Sequence, residues 1–131
     1  MHAVHVTLIK AVDLPSADFN GKSDPYVVFK LANTTYTSST ISANLNPEWS
    51  PEETFAFIAD DPKTAALDVQ VFDRDRVSQD DKIAFCSVPL ANFLDNPKSE
   101  VFMFELKTPA VFAKQKRKSA IMLELKLEKA D

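Results

Sequence analysis

The stretch Ile121-Met122-Leu123-Glu124-Leu125-Lys126-Leu127-Glu128 decides the fold class. Ile121, Leu123, Leu125 and Leu127 point one way, while Glu124, Lys126 and Glu128 point the other. Apolar residues recurring with a period of two describe a strand with one face in a core and one in water. The same signature opens the chain. His2 to Lys10 sets Val4, Val6 and Leu8 on one side and His5 and Thr7 on the other. Between these ends lie Tyr26–Leu31, Thr34–Ile41, Thr54–Ile58, Leu67–Phe72, Lys82–Val88 and Val101–Leu106, each rich in β-branched or aromatic residues. Turn-forming Pro, Asn, Asp and Ser separate them. Helical periodicity is weak, with room only for short turns near Thr64–Leu67 and Leu90–Leu94. Eight short strands with inward–outward alternation predict an all-β fold, an eight-stranded antiparallel β-sandwich of two sheets packed face to face.

The 131 residues are expected to form a single domain spanning 1–131, large enough to bury its own core. No apolar run approaches the roughly 20 residues of a membrane-spanning helix. The N-terminus alternates like a strand and shows no signal-peptide pattern, so a cytoplasmic location is expected. Cys86 is the one cysteine, which excludes an internal disulfide. The start at Met1 and the lack of a linker point to a stand-alone protein, with an excised domain of a larger signalling enzyme as the alternative. Catalysis is not expected: the two histidines, His2 and His5, sit on the first strand, and no nucleophile elbow or phosphate-binding glycine loop exists.

A net charge of −4 argues against nucleic acid as the partner. That charge is local. Asp18 and Asp24 lie in one predicted loop, and Asp73, Asp75 and Asp81 lie in another. Without these five the chain has 15 basic and 14 acidic residues. Asp73 and Asp75 are two apart where a strand exits, so strand geometry sends both carboxylates to one side. Like charges held this close repel unless a cation occupies the cluster. Hard oxygen donors without neighbouring His or Cys suit calcium rather than zinc, and loop flexibility suits calcium rather than magnesium. An EF-hand is excluded. Counting from Asp73, its sixth and twelfth positions would be Ser78 and Ala84, and from Asp18 they would be Ser23 and Phe29.

Three segments carry a family resemblance. They are Leu14 with Asp18, Gly21 and Ser23-Asp24-Pro25-Tyr26-Val27; Leu45-Asn46-Pro47-Glu48-Trp49 with Phe55-Ala56-Phe57; and Val71-Phe72-Asp73-Arg74-Asp75 with Asp81. In this order they resemble the calcium loops of C2 domains, calcium- and phospholipid-binding modules, from about Val4 to Leu127. The resemblance implies metal ligands at Asp18, Asp24, Asp73, Asp75 and Asp81, holding two or three calcium ions, with backbone carbonyls placed like those of Phe19 and Arg74 completing the shell. It also implies a Greek-key β-sandwich with the calcium loops at one end, in the circularly permuted, type II strand order. Two features depart from patterns in the family: Ala84 stands where glycine is usual, and Tyr36-Thr37-Ser38-Ser39-Thr40 has none of the lysines that bind phosphoinositides in some members, which argues against a strong phosphoinositide preference.

Phe19 and Val77 fall at loop tips beside the metal-ligating aspartates, where an apolar side chain reads as a membrane contact; the plain alternative for Phe19 is packing against its own loop. Arg76, with Arg74, Lys22 and Lys82, can meet anionic headgroups or simply be solvated. Lys114, Lys116, Arg117 and Lys118 form a short basic run, read first as a solvated turn, with a headgroup or partner contact as its alternative. Trp49 and Cys86 are assigned to the core or its margin. The expectation is calcium-dependent binding to anionic phospholipid membranes, phosphatidylserine foremost, by a monomer that moves from cytoplasm to membrane when calcium rises. A protein–protein adaptor is the alternative, which the intact aspartate set disfavours.

Overall fold

The computed structural model describes residues 1–18, 20–94 and 98–130. It contains eight strands: β1 (His2–Val12), β2 (Pro25–Leu31), β3 (Thr34–Thr37), β4 (Glu48–Ala59), β5 (Ala66–Asp73), β6 (Asp81–Pro89), β7 (Glu100–Glu105) and β8 (Ala120–Lys129). They form two four-stranded sheets in the orders β4-β1-β8-β7 and β3-β2-β5-β6, and every pairing is antiparallel. This is the sandwich expected from the alternation.

The alternating residues fill the space between the sheets. Val4, Val6 and Leu8 of β1 are buried, as are Ile121, Leu123, Leu125 and Leu127 of β8; Val27 and Phe29 of β2 and Leu67, Val69 and Val71 of β5 join them in one cluster. Each large apolar side chain withdrawn from water contributes about 1.5–3 kcal/mol. Trp49 is buried and donates its indole N–H to the Ser39 carbonyl at 2.9 Å. Cys86 lies half-buried at the margin, where burial, and then the nearby Asp68 charge, push its thiol up to about 11.

Two boundaries differ from the sequence reading. β3 ends at Thr37, not Ile41, because the Ser38 hydroxyl replaces the regular ladder by accepting from the Val27 N–H at 2.8 Å. β4 begins at Glu48, well before Thr54, and carries Pro51, which an edge strand tolerates because its outer side needs no ladder donor. The expected turn near Leu90 is a 3-10 helix over Leu90–Phe93. A second 3-10 helix, Ala110–Gln115, lies in a segment the sequence leaves unpatterned.

Register sets which loops share an end. The end of β1 pairs with the start of β8 (Val12 with Ala120), and the start of β2 pairs with the end of β5 (Pro25 with Asp73), which in turn meets the start of β6 (Asp73 with Asp81). The loops holding Asp18, Asp75 and the basic run therefore emerge together. On one flank, Lys107 bridges from beyond β7 to Phe85 of β6, linking the two sheets.

Candidate functional site

The β1–β2 loop is shaped by its own backbone. Gly21, at φ +77°, supplies a left-handed turn that residues with a Cβ adopt at a cost, and its N–H donates to the Asp18 carbonyl at 3.2 Å. The Asp18 N–H donates to the Lys22 carbonyl at 3.1 Å. Below this turn the fully buried Ser23 hydroxyl donates to the Pro15 carbonyl at 3.0 Å and accepts from the Ala17 N–H at 3.1 Å. The loop is thus folded back over the start of β2.

Asp24 is held from both sides. Its carboxylate Oδ1 accepts from the Ala43 N–H of the β3–β4 loop at 2.7 Å, and its carbonyl accepts from the Arg74 N–H at 3.0 Å. Its own N–H donates to Oδ1 of Asp73 at 2.7 Å. Asp73, the last residue of β5, is only 2% exposed. Asp18, Asp24 and Asp73 each present a carboxylate oxygen within 4.8 Å of the other two. Burial first, then the close Asp18 and Asp24 carboxylates, push Asp73 up to about 6, against the opposing pull of the Asp24 N–H. The cluster strains against its own charge.

Chemistry and spacing both fit calcium. Calcium–oxygen distances are about 2.3–2.6 Å, so two oxygens on one ion lie at most about 5.2 Å apart. Oxygens within 4.8 Å of one another satisfy that limit.

The other two aspartates named from sequence stand outside this group of three. Asp75 turns into its own loop, accepting from the Val77 N–H at 3.0 Å and the Ser78 hydroxyl at 2.7 Å. Those bonds hold its carboxyl below the usual carboxylate range. Asp81 is exposed as the first residue of β6, opposite Asp73 in the ladder. The sequence reading missed Asp80. Its carboxylate accepts from the Asp75 N–H at 2.7 Å and from the Tyr26 hydroxyl, and both bonds lower its pKa. Burial, and then the bond to Asp80, push the Tyr26 hydroxyl up to about 12. Asp80 therefore pins the β5–β6 loop to β2.

Val77 tops that loop at 95% exposure, and Arg76 beside it is exposed. The expectation at Phe19 lies outside the described residues. Arg74 is engaged over the Tyr26 ring, 5.4 Å from its centroid, and Tyr26 stacks on Phe72. Lys82 lies over the Phe85 ring at 5.3 Å. Among the described residues, no helix is long and apolar enough to cross a membrane.

Comparison with known proteins agrees with the geometry. The family profile described as C2 domain matches residues 2–106. A calcium-dependent lipid-binding protein of Arabidopsis thaliana is 41% identical over 93 residues, covering 66% of this chain and 17% of that protein. Synaptotagmin-4 of Arabidopsis thaliana is 35% identical over 123 residues, covering 92% of this chain and 21% of that protein. The chain thus spans about a fifth of the length of these relatives. Among solved structures, a C2 domain of plant extended synaptotagmin 1 superposes with a TM-score of 0.82 at 27% identity, covering 98% of this chain and 95% of that one.

Proposed function

The chain belongs to the C2 domain family, and on that premise we propose that it binds anionic phospholipid membranes in a calcium-dependent manner, without catalysing a reaction. The observation that carries this reading is the convergence of Asp18 and Asp24, from the β1–β2 loop, with Asp73, from the end of β5, within 4.8 Å. The metal set is proposed to comprise Asp18, Asp24, Asp73, Asp75 and Asp81. Asp18, Asp24 and Asp73 form its floor, while Asp75 and Asp81 join from the β5–β6 loop and the start of β6. Bound calcium, two or three ions, would offset the carboxylate charge and share its remaining coordination positions with lipid phosphate or carboxylate.

The chain's own residues do the rest. Asp80 and Tyr26 hold the β5–β6 loop against β2, so that Val77 projects at the tip with Arg76 alongside. Val77, and Phe19 from the neighbouring loop, enter the interfacial region, and Arg76 meets anionic headgroups. Phosphatidylserine is the favoured lipid class, and the protein acts as a monomer that leaves the cytoplasm for membranes as calcium rises. The Arabidopsis relative named as a calcium-dependent lipid-binding protein supports the same reading.

Co-sedimentation with vesicles of phosphatidylcholine, with and without phosphatidylserine, tests it in millimolar calcium or chelator. Binding is expected only with phosphatidylserine and calcium together. Equal binding in chelator, or none under any condition, refutes the proposal.

A further inference from the structure

The β7–β8 connection, residues 106–119, carries charge that the metal loops do not account for. Between Glu105 and Glu124 the chain has no acidic residue and five basic ones, Lys107, Lys114, Lys116, Arg117 and Lys118. Subtracting these five from the net charge of −4 leaves −9 on the remainder. The most basic segment of an acidic protein sits beside its aspartate cluster.

It is also fastened there. The Gln115 side chain spans Ser16, accepting from its N–H and donating to its carbonyl, both at 2.8 Å. Arg117 pairs with Asp13 at 2.8 Å, the Lys118 N–H donates to the same carboxylate at 3.2 Å, and the Ser119 hydroxyl donates to the Asp13 carbonyl at 2.6 Å. Asp13 and Ser16 lead directly into the loop that carries Asp18. The connection is thereby fixed to the first metal loop by side chains that leave the lysines unused.

Lys114, Lys116 and Lys118 are exposed, and among the described residues none has an ion-pair partner. Had they served to neutralise the aspartates, they would stand within ion-pair distance of them. Val111, on the same 3-10 helix as Lys114, is 80% exposed, while Phe112 next to it packs on the core. An exposed apolar residue followed within a few positions by three free lysines is the composition of a segment that lies on an anionic bilayer.

We infer that the β7–β8 connection is a further bilayer-contacting element beside the metal loops, with Lys114, Lys116 and Lys118 meeting anionic lipid headgroups. The inference rests on the membrane-binding reading above. It adds a lysine-based contact whose charge is present at every calcium level. That contact is too weak alone to hold the protein against its acidic loops, and it adds to affinity once those loops carry metal.

The test compares the parent with two triple variants of equal net charge. One is Lys114→Gln with Lys116→Gln and Lys118→Gln. The other is Lys63→Gln with Lys98→Gln and Lys129→Gln, all exposed and at the opposite end of the sandwich. Partition into phosphatidylserine-containing vesicles is measured at fixed calcium and about 0.1 M salt, with calcium affinity measured calorimetrically without lipid. The β7–β8 variant should partition about ten- to hundred-fold more weakly, with unchanged calcium affinity and a loss that shrinks at high salt. The opposite-end variant should match the parent. If the β7–β8 variant matches a parent that binds, the inference falls and the metal-loop reading stands. Equal losses in both variants also overturn it, since net charge alone would then explain them. A parent that binds no vesicles in calcium overturns both readings.

Discussion

Asp73→Asn tests the metal centre most directly, because the substitution separates charge from shape. Asparagine keeps the Oδ1 that accepts from the Asp24 N–H at 2.7 Å, and removes the negative charge from the least exposed member of the cluster. Two carboxylate oxygens within 4.8 Å of each other repel by on the order of 3 kcal/mol or more at an effective dielectric of about 20. Asp73 has two such neighbours. Asp18 is exposed and Asp24 partly so, so water and salt screen much of that repulsion, leaving about 1–2 kcal/mol to be relieved. In chelator the variant should therefore melt roughly 3–8 °C above the parent. In calcium the order reverses. The parent gains about 2.7 kcal/mol when calcium stands at about 100 times its dissociation constant, and the variant gains little. The assay is a pair of melting curves for each protein, in chelator and in millimolar calcium. An apo variant that melts at or below the parent refutes the repulsion argument. A variant that keeps the full calcium shift removes Asp73 from the site.

Asp75→Asn should abolish calcium-dependent vesicle binding while changing apo stability by about 1 kcal/mol or less, since the asparagine oxygen keeps the Val77 N–H bond and only the Ser78 hydroxyl bond is altered, read by co-sedimentation beside a melting curve. Phe19→Ala should weaken vesicle partition roughly ten-fold or more, in a component that persists at high salt, and leave lipid-free calcium affinity unchanged. Val77→Ala should do the same on a smaller scale; loss of calcium affinity at Phe19 would instead mean that its side chain packs the loop. Cys86, with its thiol raised to about 11, is almost wholly protonated at neutral pH. It should react with iodoacetamide far more slowly than a free thiol, and faster only as pH climbs toward that value or the protein unfolds.

The fold was legible because alternation and burial coincide. Strand β8 reads as a strand from Ile121 to Glu128, and its buried residues are the apolar ones of that pattern. Legibility fails where a tertiary bond replaces a pattern. Thr34 to Ile41 looks like one β-branched run, yet a single hydroxyl, that of Ser38, ends the ladder at Thr37. Pro51 suggests a break in any strand, and only the placement of β4 at a sheet edge makes it harmless. The 3-10 helix Ala110–Gln115 is too short to show helical periodicity.

The site divides along the same line. Asp18, Asp24 and Asp73 lie together at one end of the sandwich, the first two in the β1–β2 loop and Asp73 at the end of β5. Asp75 was grouped with Asp73 by strand period, but β5 stops at Asp73, so that period no longer governs the residue two further on. Where it stands, Asp75 accepts two hydrogen bonds, each worth about 1 kcal/mol net. Moving it into the group would add a fourth negative charge, against repulsion on the order of 3 kcal/mol per close neighbour at intermediate dielectric. Self-repulsion therefore favours the spread arrangement whenever no cation offsets the charge. Asp80 and Asp81 pose the related problem of which of two adjacent acids the fold engages. Sequence spacing favours Asp81, while the Tyr26 hydroxyl and the Asp75 N–H engage Asp80. The tyrosine was visible in the sequence; its distance from Asp80 was not. It follows that Asp80 sets the position of the β5–β6 loop, a role fixed by the neighbours the fold supplies, while Asp81, exposed opposite Asp73 in the ladder, is left for the proposed metal set.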